Sequence, residues 1–191
     1  STVTPGYDFD AAVMITASHL PFNRNGFKFF TREGGLEKED IASILTLAGQ
    51  AGGTGLPAGQ VAPGAFMDAY AGLLVEKVRA AAGSEHPLAG FRIVVDAGNG
   101  AGGFYVSKVL KPLGADTEGS QFLDPDGSFP NHIPNPEDKQ AMAAIRAAVL
   151  ESKADLGLIF DTDVDRMSAV LPDGTEVNRD AIIALAAAIL A

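Results

Sequence analysis

Apolar residues in the chain follow two patterns that predict different secondary structure. Short continuous apolar runs predict buried strands, and an alternating stretch predicts a strand with one polar face. Strands are expected at 11–16, 27–31, 91–95, 155–160 and 167–171. Apolar positions three and four residues apart predict helices, which are expected at 39–47, 66–82 and 137–153. Strands and helices alternate from Phe91 onward, so the sequence predicts an α/β fold of mixed sheets layered with helices.

A glycine-rich stretch follows the strand at 91–95 and is predicted to open a helix that runs to Leu113. Gly98, Gly100 and Gly103 fit the spacing G-x-G-x-x-G, which in dinucleotide-binding folds brings a helix N-terminus against a pyrophosphate. Such a site also needs an acidic residue at a strand end about twenty residues further on. No acidic residue is suitably placed here. Close packing of a helix on a strand explains the glycines equally well.

Three aspartates, Asp161, Asp163 and Asp165, alternate directly after the apolar run Leu156–Phe160. Side chains at i, i+2 and i+4 project to one side wherever the backbone stays extended. Three carboxylates on one side repel one another, and a hard divalent cation such as Mg²⁺, which takes oxygen ligands, relieves that repulsion. The aspartates therefore predict a Mg²⁺ site, with an ordinary acidic turn after a strand as the alternative.

Two other metal-binding motifs can be compared with this spacing. An EF-hand requires Gly at its sixth position and Glu at its twelfth, where this chain has Arg166 and Pro172. An Asp-nucleophile phosphatase of the haloacid dehalogenase type also carries D-x-D after an apolar strand and needs a later Lys. The stretch 166–191 contains no Lys, which disfavours the phosphatase without excluding it.

A second polar loop, Thr16–Lys28, follows the predicted strand at 11–16. Ser18 and His19 at a strand end, with Gly26 and Lys28 beyond them, favour an anion or phosphate site. A turn in which polar side chains bond the nearby backbone is the alternative.

Together the two loops resemble one family, the α-D-phosphohexomutases of the phosphoglucomutase/phosphomannomutase superfamily. Thr16–Pro21 resembles the T-A-S-H-N-P phosphoserine loop, Asn25–Lys28 matches its closing N-G-x-K, and Asp161–Arg166 resembles the D-G-D-G-D-R metal loop. Val95–Gly102 and Asp126–Pro136 resemble segments of the family's second domain. Order and spacing agree along nearly the whole chain.

The resemblance departs at Leu20, where the family has Asn, and at Thr162 and Val164, where the metal loop has glycines. These bulkier residues leave every candidate metal ligand in place. They put the choice of substrate in more doubt than the binding of a metal.

The resemblance implies two consecutive phosphohexomutase-type domains. Residues 1–83 would be the later part of the first domain, which is incomplete, and residues 88–191 the second domain, with the linker between them. The family has four domains, and this chain begins at Ser1 rather than Met. Further C-terminal domains of the same protein are therefore expected partners, and these residues alone are expected to be inactive.

The resemblance also implies the chemistry. Ser18, His19, Lys28 and Arg166 would be catalytic. Mg²⁺ would be held by the three aspartates together with Ser18. Phosphoserine would pass its phosphoryl group to a hexose phosphate, with glucose 1,6-bisphosphate as intermediate and activator, moving phosphate between the C1 and C6 hydroxyls.

Glucose phosphate is the expected substrate, although the sugar-recognition segments lie in later domains and the sequence does not name the sugar. A catalytically silent relative, acting as an assembly or regulatory subunit, is the alternative from another functional class. Retention of Ser18, Lys28 and all three aspartates argues against it.

Four other polar residues are expected to have no catalytic role. His132, in a Pro- and Asn-rich loop, is predicted to form loop hydrogen bonds. Asp96, at a strand end beside glycines, is predicted to be structural, with a place lining the cleft as the alternative. His86 and Arg24 are predicted to face solvent.

Composition excludes several other functions. With 24 acidic against 14 basic residues the net charge is −10, and no basic stretch suits a nucleic-acid backbone. There is no Cys, so thiol chemistry is absent.

The closing apolar run, 181–191, is too short to span a bilayer and is predicted to be a packed helix. A soluble cytoplasmic protein is expected, with the plastid stroma as the alternative, and the sequence does not reveal the oligomeric state.

Overall fold

The structure is a computed structural model that describes residues 3–4, 7–16, 18, 20–52, 55 and 59–190. The chain forms two compact units. The first consists of Ser1–Ala17 and Asn25–Phe66, and the second of Ser18–Arg24 and Met67–Ala191.

The first unit contains short antiparallel strands and one helix. Strands β1 and β2 pair with each other, and β3, β4 and β5 form a second sheet. These elements are β1 (Val3–Thr4), β2 (Tyr7–Asp8), β3 (Ala11–Ile15), β4 (Phe27–Thr31), β5 (Gly34–Gly35) and α1 (Lys38–Gln50). Among the described residues of this unit none is buried, and the side chains of Val13, Ile15 and Phe27 are half or more exposed.

The second unit contains the three-stranded sheet that carries the aspartates. Strand β7 lies in the centre, parallel to β6 and antiparallel to β8. Its elements are α2 (Phe66–Ala82), β6 (Ile93–Asp96), α3 (Lys139–Ser152), β7 (Leu156–Phe160), β8 (Met167–Val170) and α4 (Arg179–Leu190). The predicted α/β class, with mixed sheets layered with helices, is confirmed.

Both faces of the second unit's sheet are covered, because successive side chains of a strand point to opposite faces. Val94 and Ile159 pack against α3 through Ile145 and Val149. On the opposite face Ile93 and Val95 pack against the segment 101–115. Helix α2 adds an outer layer by packing on that segment. Its contacts are Ala71 and Val75 with Val109 and Leu113.

The predicted helix from Gly98 to Leu113 is wrong in its form. The backbone makes a 3₁₀ turn at Ala101–Gly103, and a π-helical turn at Val106–Leu110 ends the helical segment. Close packing accompanies this departure at Gly103, where a Cβ atom would lie 1.9 Å from the carbonyl oxygen of Leu123. The lack of a side chain at Gly103 lets the backbone at Leu123 approach the start of the helical segment this closely.

Helix α2 groups with the second unit, whereas the sequence-based division at 83–88 places it with the first. The apolar side of α2 supplies a physical reason, since Ala71 and Val75 are its buried residues and both contact the second unit's core. The domain boundaries themselves stay a prediction. Within the part of the chain that the structure describes, no helix combines the length and the hydropathy needed to cross a bilayer.

Candidate metal and phosphoryl-transfer site

The segment Asp161–Arg166 is the hairpin loop that joins the antiparallel strands β7 and β8. The last strand pair is Phe160 with Met167, and the Asp161 N–H continues the ladder by donating to the Arg166 carbonyl at 3.1 Å. Between these two residues the backbone turns. The aspartates therefore do not lie on extended backbone, and a turn brings them together instead.

The three aspartates form a compact set of oxygen ligands. One carboxylate oxygen from each of Asp161, Asp163 and Asp165 lies within 4.8 Å of the other two. Mg²⁺ holds oxygens at about 2.0–2.1 Å, so ligands on opposite sides of the ion are about 4.2 Å apart. Adjacent ligands of an octahedral Mg²⁺ are about 2.9 Å apart, so the carboxylate oxygens would move closer together on binding the ion. An all-oxygen donor set suits a hard cation such as Mg²⁺.

Asp161 sits in the least favourable environment for a negative charge. Its side chain is fully buried. Burial raises the pKa of its carboxyl group, and the neighbouring Asp165 and Asp163 raise it further, while a hydrogen bond from the Arg166 backbone N–H acts in the opposite direction. A cation bound among the three carboxylates would favour the ionised form and offset this penalty.

Arg166 contacts two of the aspartates and has one guanidinium nitrogen without a hydrogen-bond partner among the described residues. Its Nε lies 3.1 Å from Asp161 Oδ2 and 3.8 Å from Asp165 Oδ1. Its Nη2 is buried with no hydrogen-bond partner in the described structure, and the same holds for the hydroxyl oxygen of Thr162. Buried donors normally find a partner, and a guanidinium matches the geometry of a phosphoryl group. The spare donor therefore suits an anion bound beside the metal.

Val164 occupies a backbone conformation that favours glycine. Its φ angle is +65°, which is uncommon for a β-branched residue and costs about 1–3 kcal/mol. The half-buried side chain packs against the cluster that contains Phe160 and Val95. This packing offsets the strain, and it explains how the loop keeps its turn without the glycine found in the family it resembles.

The Ser18 loop shows the backbone closure that the sequence suggests. The Thr16 N–H donates to the Gly26 carbonyl at 3.0 Å. A side chain at Gly26 would place Cβ only 2.7 Å from the Thr16 oxygen, so glycine is required at this neck. Ser18 has a φ of +52°, and the segment Ser18–Arg24 is part of the same compact unit as the aspartates.

The structure describes the predicted site residues to different extents. The structure brings Asp161, Asp163, Asp165 and Arg166 together. Lys28 lies on β4, opposite Met14, in the first unit, and His19 lies outside the described residues. The catalytic roles of Ser18, His19, Lys28 and Arg166 stay predictions.

The glycines that resemble a dinucleotide fingerprint are explained by packing. A Cβ atom at Gly100 would lie 2.8 Å from the Thr162 oxygen, and one at Gly98 would lie 2.8 Å from Pro134 Cβ. The turn after β6 thus lies against the metal loop. The sequence predicted neither this contact nor the pairing of His132 with Asp96, in which His132 Nε2 lies 3.0 Å from the Asp96 carboxylate. His132 is predicted to form loop hydrogen bonds and Asp96 to be structural, and the hydrogen bond between them agrees with both predictions.

Comparison with known families gives two matches, one after the other along the chain. Residues 68–174 match the model described as "Phosphoglucomutase/phosphomannomutase, alpha/beta/alpha domain II". Residues 1–51 match the corresponding model of domain I.

Curated relatives carry several names within this family. The chain is 34% identical to a phosphomannomutase/phosphoglucomutase of Pseudomonas putida, covering 92% of the chain and 36% of the relative. It is 34% identical to a phosphoglucomutase of Neisseria gonorrhoeae, over 89% of the chain and 35% of the relative. A phosphoglucosamine mutase of Rhodospirillum centenum is 38% identical, with 92% of the chain and 38% of the relative covered. The chain thus spans a little over a third of the length of these relatives.

A solved structure shows the same fold. The crystal structure of a phosphoglucomutase/phosphomannomutase family protein from Burkholderia thailandensis matches with a TM-score of 0.73 and 27% identity. The match covers 93% of this chain and 37% of that protein. From the two family models and these relatives we conclude that the chain belongs to the phosphoglucomutase/phosphomannomutase family.

Proposed function

We propose that this chain is the phosphoryl-carrying and metal-binding part of a phosphohexomutase. The full protein would move a phosphoryl group between the C1 and C6 hydroxyls of a hexose phosphate, with glucose phosphate as the preferred substrate. The observation that carries the proposal is the aspartate cluster beside the spare guanidinium donor of Arg166. The curated relatives are named for glucose, mannose and glucosamine phosphates, which supports the reaction class more than the sugar.

In this proposal the residues divide the work by their chemistry. Asp161, Asp163 and Asp165 hold Mg²⁺, which when bound neutralises charge on the phosphoryl oxygens. Arg166 directs its unpaired Nη2 donor to a phosphoryl oxygen. Ser18 carries the phosphoryl group and supplies an oxygen beside the metal.

The transfer is a displacement at phosphorus in each direction. The bond between phosphorus and the Ser18 oxygen breaks as a sugar hydroxyl forms its own bond to phosphorus, and the hydroxyl proton passes to a base. This first half produces a hexose 1,6-bisphosphate, which is glucose 1,6-bisphosphate for a glucose substrate. In the second half the Ser18 oxygen takes the other phosphoryl group back from the sugar. The bisphosphate is therefore both the intermediate and the activator. His19 and Lys28 complete the proposed catalytic set, with Lys28 contributing positive charge.

Phosphate mapping tests the carrier. The full-length protein is incubated with glucose 1,6-bisphosphate and the modified residue is located by mass spectrometry. We expect the phosphate on Ser18. We also expect Ser18→Ala to lower mutase turnover by at least about a thousandfold, since the proposal assigns the relay of the group to Ser18 alone.

Ser43→Ala is the matched control, because Ser43 is an exposed serine whose hydroxyl donates only to the Glu39 carbonyl on α1. It should keep full activity. Labelling elsewhere with none on Ser18 would exclude the assignment. Phosphate release that survives Ser18→Ala would favour an Asp-nucleophile phosphatase, and absence of labelling and turnover would favour a silent relative. Assays with glucose, mannose and glucosamine 1-phosphates compare the sugars.

A further inference from the structure

A buried ion pair lies at the end of β6, behind the metal loop. The side chains of His132 and Asp96 are 1% and 0% exposed. His132 Nε2 donates to the Asp96 carboxylate at 3.0 Å, and Nδ1 lies 2.9 Å from the Ile133 carbonyl oxygen. The carbonyl and the carboxylate both accept hydrogen bonds, so this geometry favours a proton on each ring nitrogen and a positive charge on the ring.

Asp96 uses this pair to fix the backbone that follows β6. Its Oδ1 accepts from the Gly98 N–H at 2.8 Å, and its Oδ2 accepts from Gln121 Nε2 at 2.7 Å. Gly98 also packs tightly against His132, since a Cβ atom at Gly98 would lie 3.1 Å from His132 Cε1. The turn after β6 is therefore held by a charged and fully bonded network, which rigidifies its surroundings.

The far side of the same turn contacts the metal loop. The Ala101 N–H donates to the Thr162 carbonyl at 2.9 Å. Gly100 lies so close that a Cβ atom would be 2.8 Å from the Thr162 oxygen. Thr162 stands between Asp161 and Asp163, so the position of its peptide helps to determine the separation of these two carboxylates.

We propose that Asp96 and His132 are positioning residues for the metal loop. They act through the Ala97–Ala101 turn, which locates the Thr162 peptide. This inference rests on the proposed metal site and goes beyond it, because neither residue touches the aspartates. A preformed spacing of ligands favours a small ion that demands regular geometry, so weakening the pair should weaken Mg²⁺ binding without removing a ligand.

The test measures Mg²⁺ affinity in the full-length protein by calorimetry. Exchange of the backbone amides in the peptide containing Ala101 is measured in parallel by mass spectrometry. His132→Asn removes the doubly donating ring. We expect it to weaken Mg²⁺ binding about three- to tenfold, less than the 10- to 100-fold for losing a direct partner of a ligand, and to speed exchange at Ala101.

Two controls separate positioning from general stability. His86→Asn makes the same substitution at an exposed histidine. Val149→Ala removes buried volume from the core between α3 and the sheet. His132→Asn and Val149→Ala are compared at the same distance below their melting temperatures. His132→Gln, which keeps one donor towards Asp96, should fall between wild type and His132→Asn, and it carries the test if His132→Asn does not fold.

The inference is overturned if the His132 variants bind Mg²⁺ as tightly as wild type, or if Val149→Ala weakens binding and speeds exchange to the same extent. Absence of Mg²⁺ binding by wild type is a distinct result. It would overturn the proposed metal site together with this inference.

Discussion

The three aspartates of the metal loop are equally spaced in sequence but meet different surroundings. Asp161 is buried, Asp163 is partly buried and Asp165 is exposed. Removing a charge from the middle residue changes the cluster while leaving the buried Asp161–Arg166 contacts in place. Asp163 is therefore the residue at which metal binding can be tested with the least effect on folding.

Asp163→Asn should weaken Mg²⁺ binding by at least about tenfold, because ligand charge sets the affinity of such sites. The unfolding temperature without metal should change little. Calorimetric titration of the variant and wild type measures the difference.

Glu151→Gln is the control for that titration, since Glu151 is an exposed acid on α3 and the substitution removes the same charge. It should bind Mg²⁺ as wild type does. Equal affinity in wild type and Asp163→Asn would contradict the metal assignment.

His132 gives the folded state a pH dependence. Burial lowers its pKa, but the hydrogen bonds to Asp96 and the Ile133 carbonyl and the negative charge of Asp96 outweigh burial and raise it overall. The pair's contribution to stability is therefore full below the unfolded value of about 6.5. It is lost as the pH rises through the higher folded pKa.

Urea unfolding between about pH 6 and pH 9 checks this sign. Wild type and His86→Asn should lose stability together as the pH rises, whereas His132→Asn should show a flatter curve. Parallel curves for all three proteins would show that His132 is not charged in the folded state.

At the level of elements, strand β7 and helix α3 approach closely at one glycine. A Cβ atom at Gly157 would lie 2.4 Å from Val149 Cγ2 and 3.1 Å from Ile145 Cγ1. Both neighbours are fully buried side chains of α3. The absence of a side chain at this strand position is what lets the helix lie flat on the sheet that carries the aspartates.

Gly157→Ala should lower the free energy of unfolding by about 1–3 kcal/mol, the usual effect of overpacking a core. Gly127→Ala, at an exposed glycine with open space around it, should change it by less than about 0.5 kcal/mol. Chemical denaturation of both variants measures the difference. A Gly157→Ala protein as stable as the control would mean that α3 shifts without cost.

At the scale of the whole molecule, buried apolar residues are confined to the second unit among the residues described. That unit also contains the aspartates, Arg166 and Ser18. A phosphohexomutase must in addition hold the far end of its substrate, since binding remote groups lowers the barrier at the reacting centre. We find no second phosphate site in the described residues of this unit.

We therefore predict that the 191-residue chain expressed alone has less than about one per cent of the mutase turnover of the full-length protein. It should still bind Mg²⁺. Glucose 1-phosphate turnover by both purified proteins gives the comparison. A rate for the short chain near that of the full-length protein would mean that these residues hold the whole substrate.

Local patterns in the sequence were sufficient to predict most elements. The helix at 66–82 agrees with α2 at both ends, and the predicted strands lie at β3, β4, β6, β7 and β8. The candidate ligands were also visible, because their chemistry depends on residue type and short spacing. Family membership followed from the same motifs.

Contacts between distant residues decided the rest. The aspartates converge through a turn closed by Asp161 and Arg166 rather than by strand alternation, and the 3₁₀ turn at Ala101–Gly103 arises where Gly103 meets Leu123. The pairing of Asp96 with His132 joins residues 36 apart. Hydrophobic periodicity reports which face of an element is buried, but not which polar groups the folded chain then brings together. Only the tertiary structure fixed the network behind the metal loop.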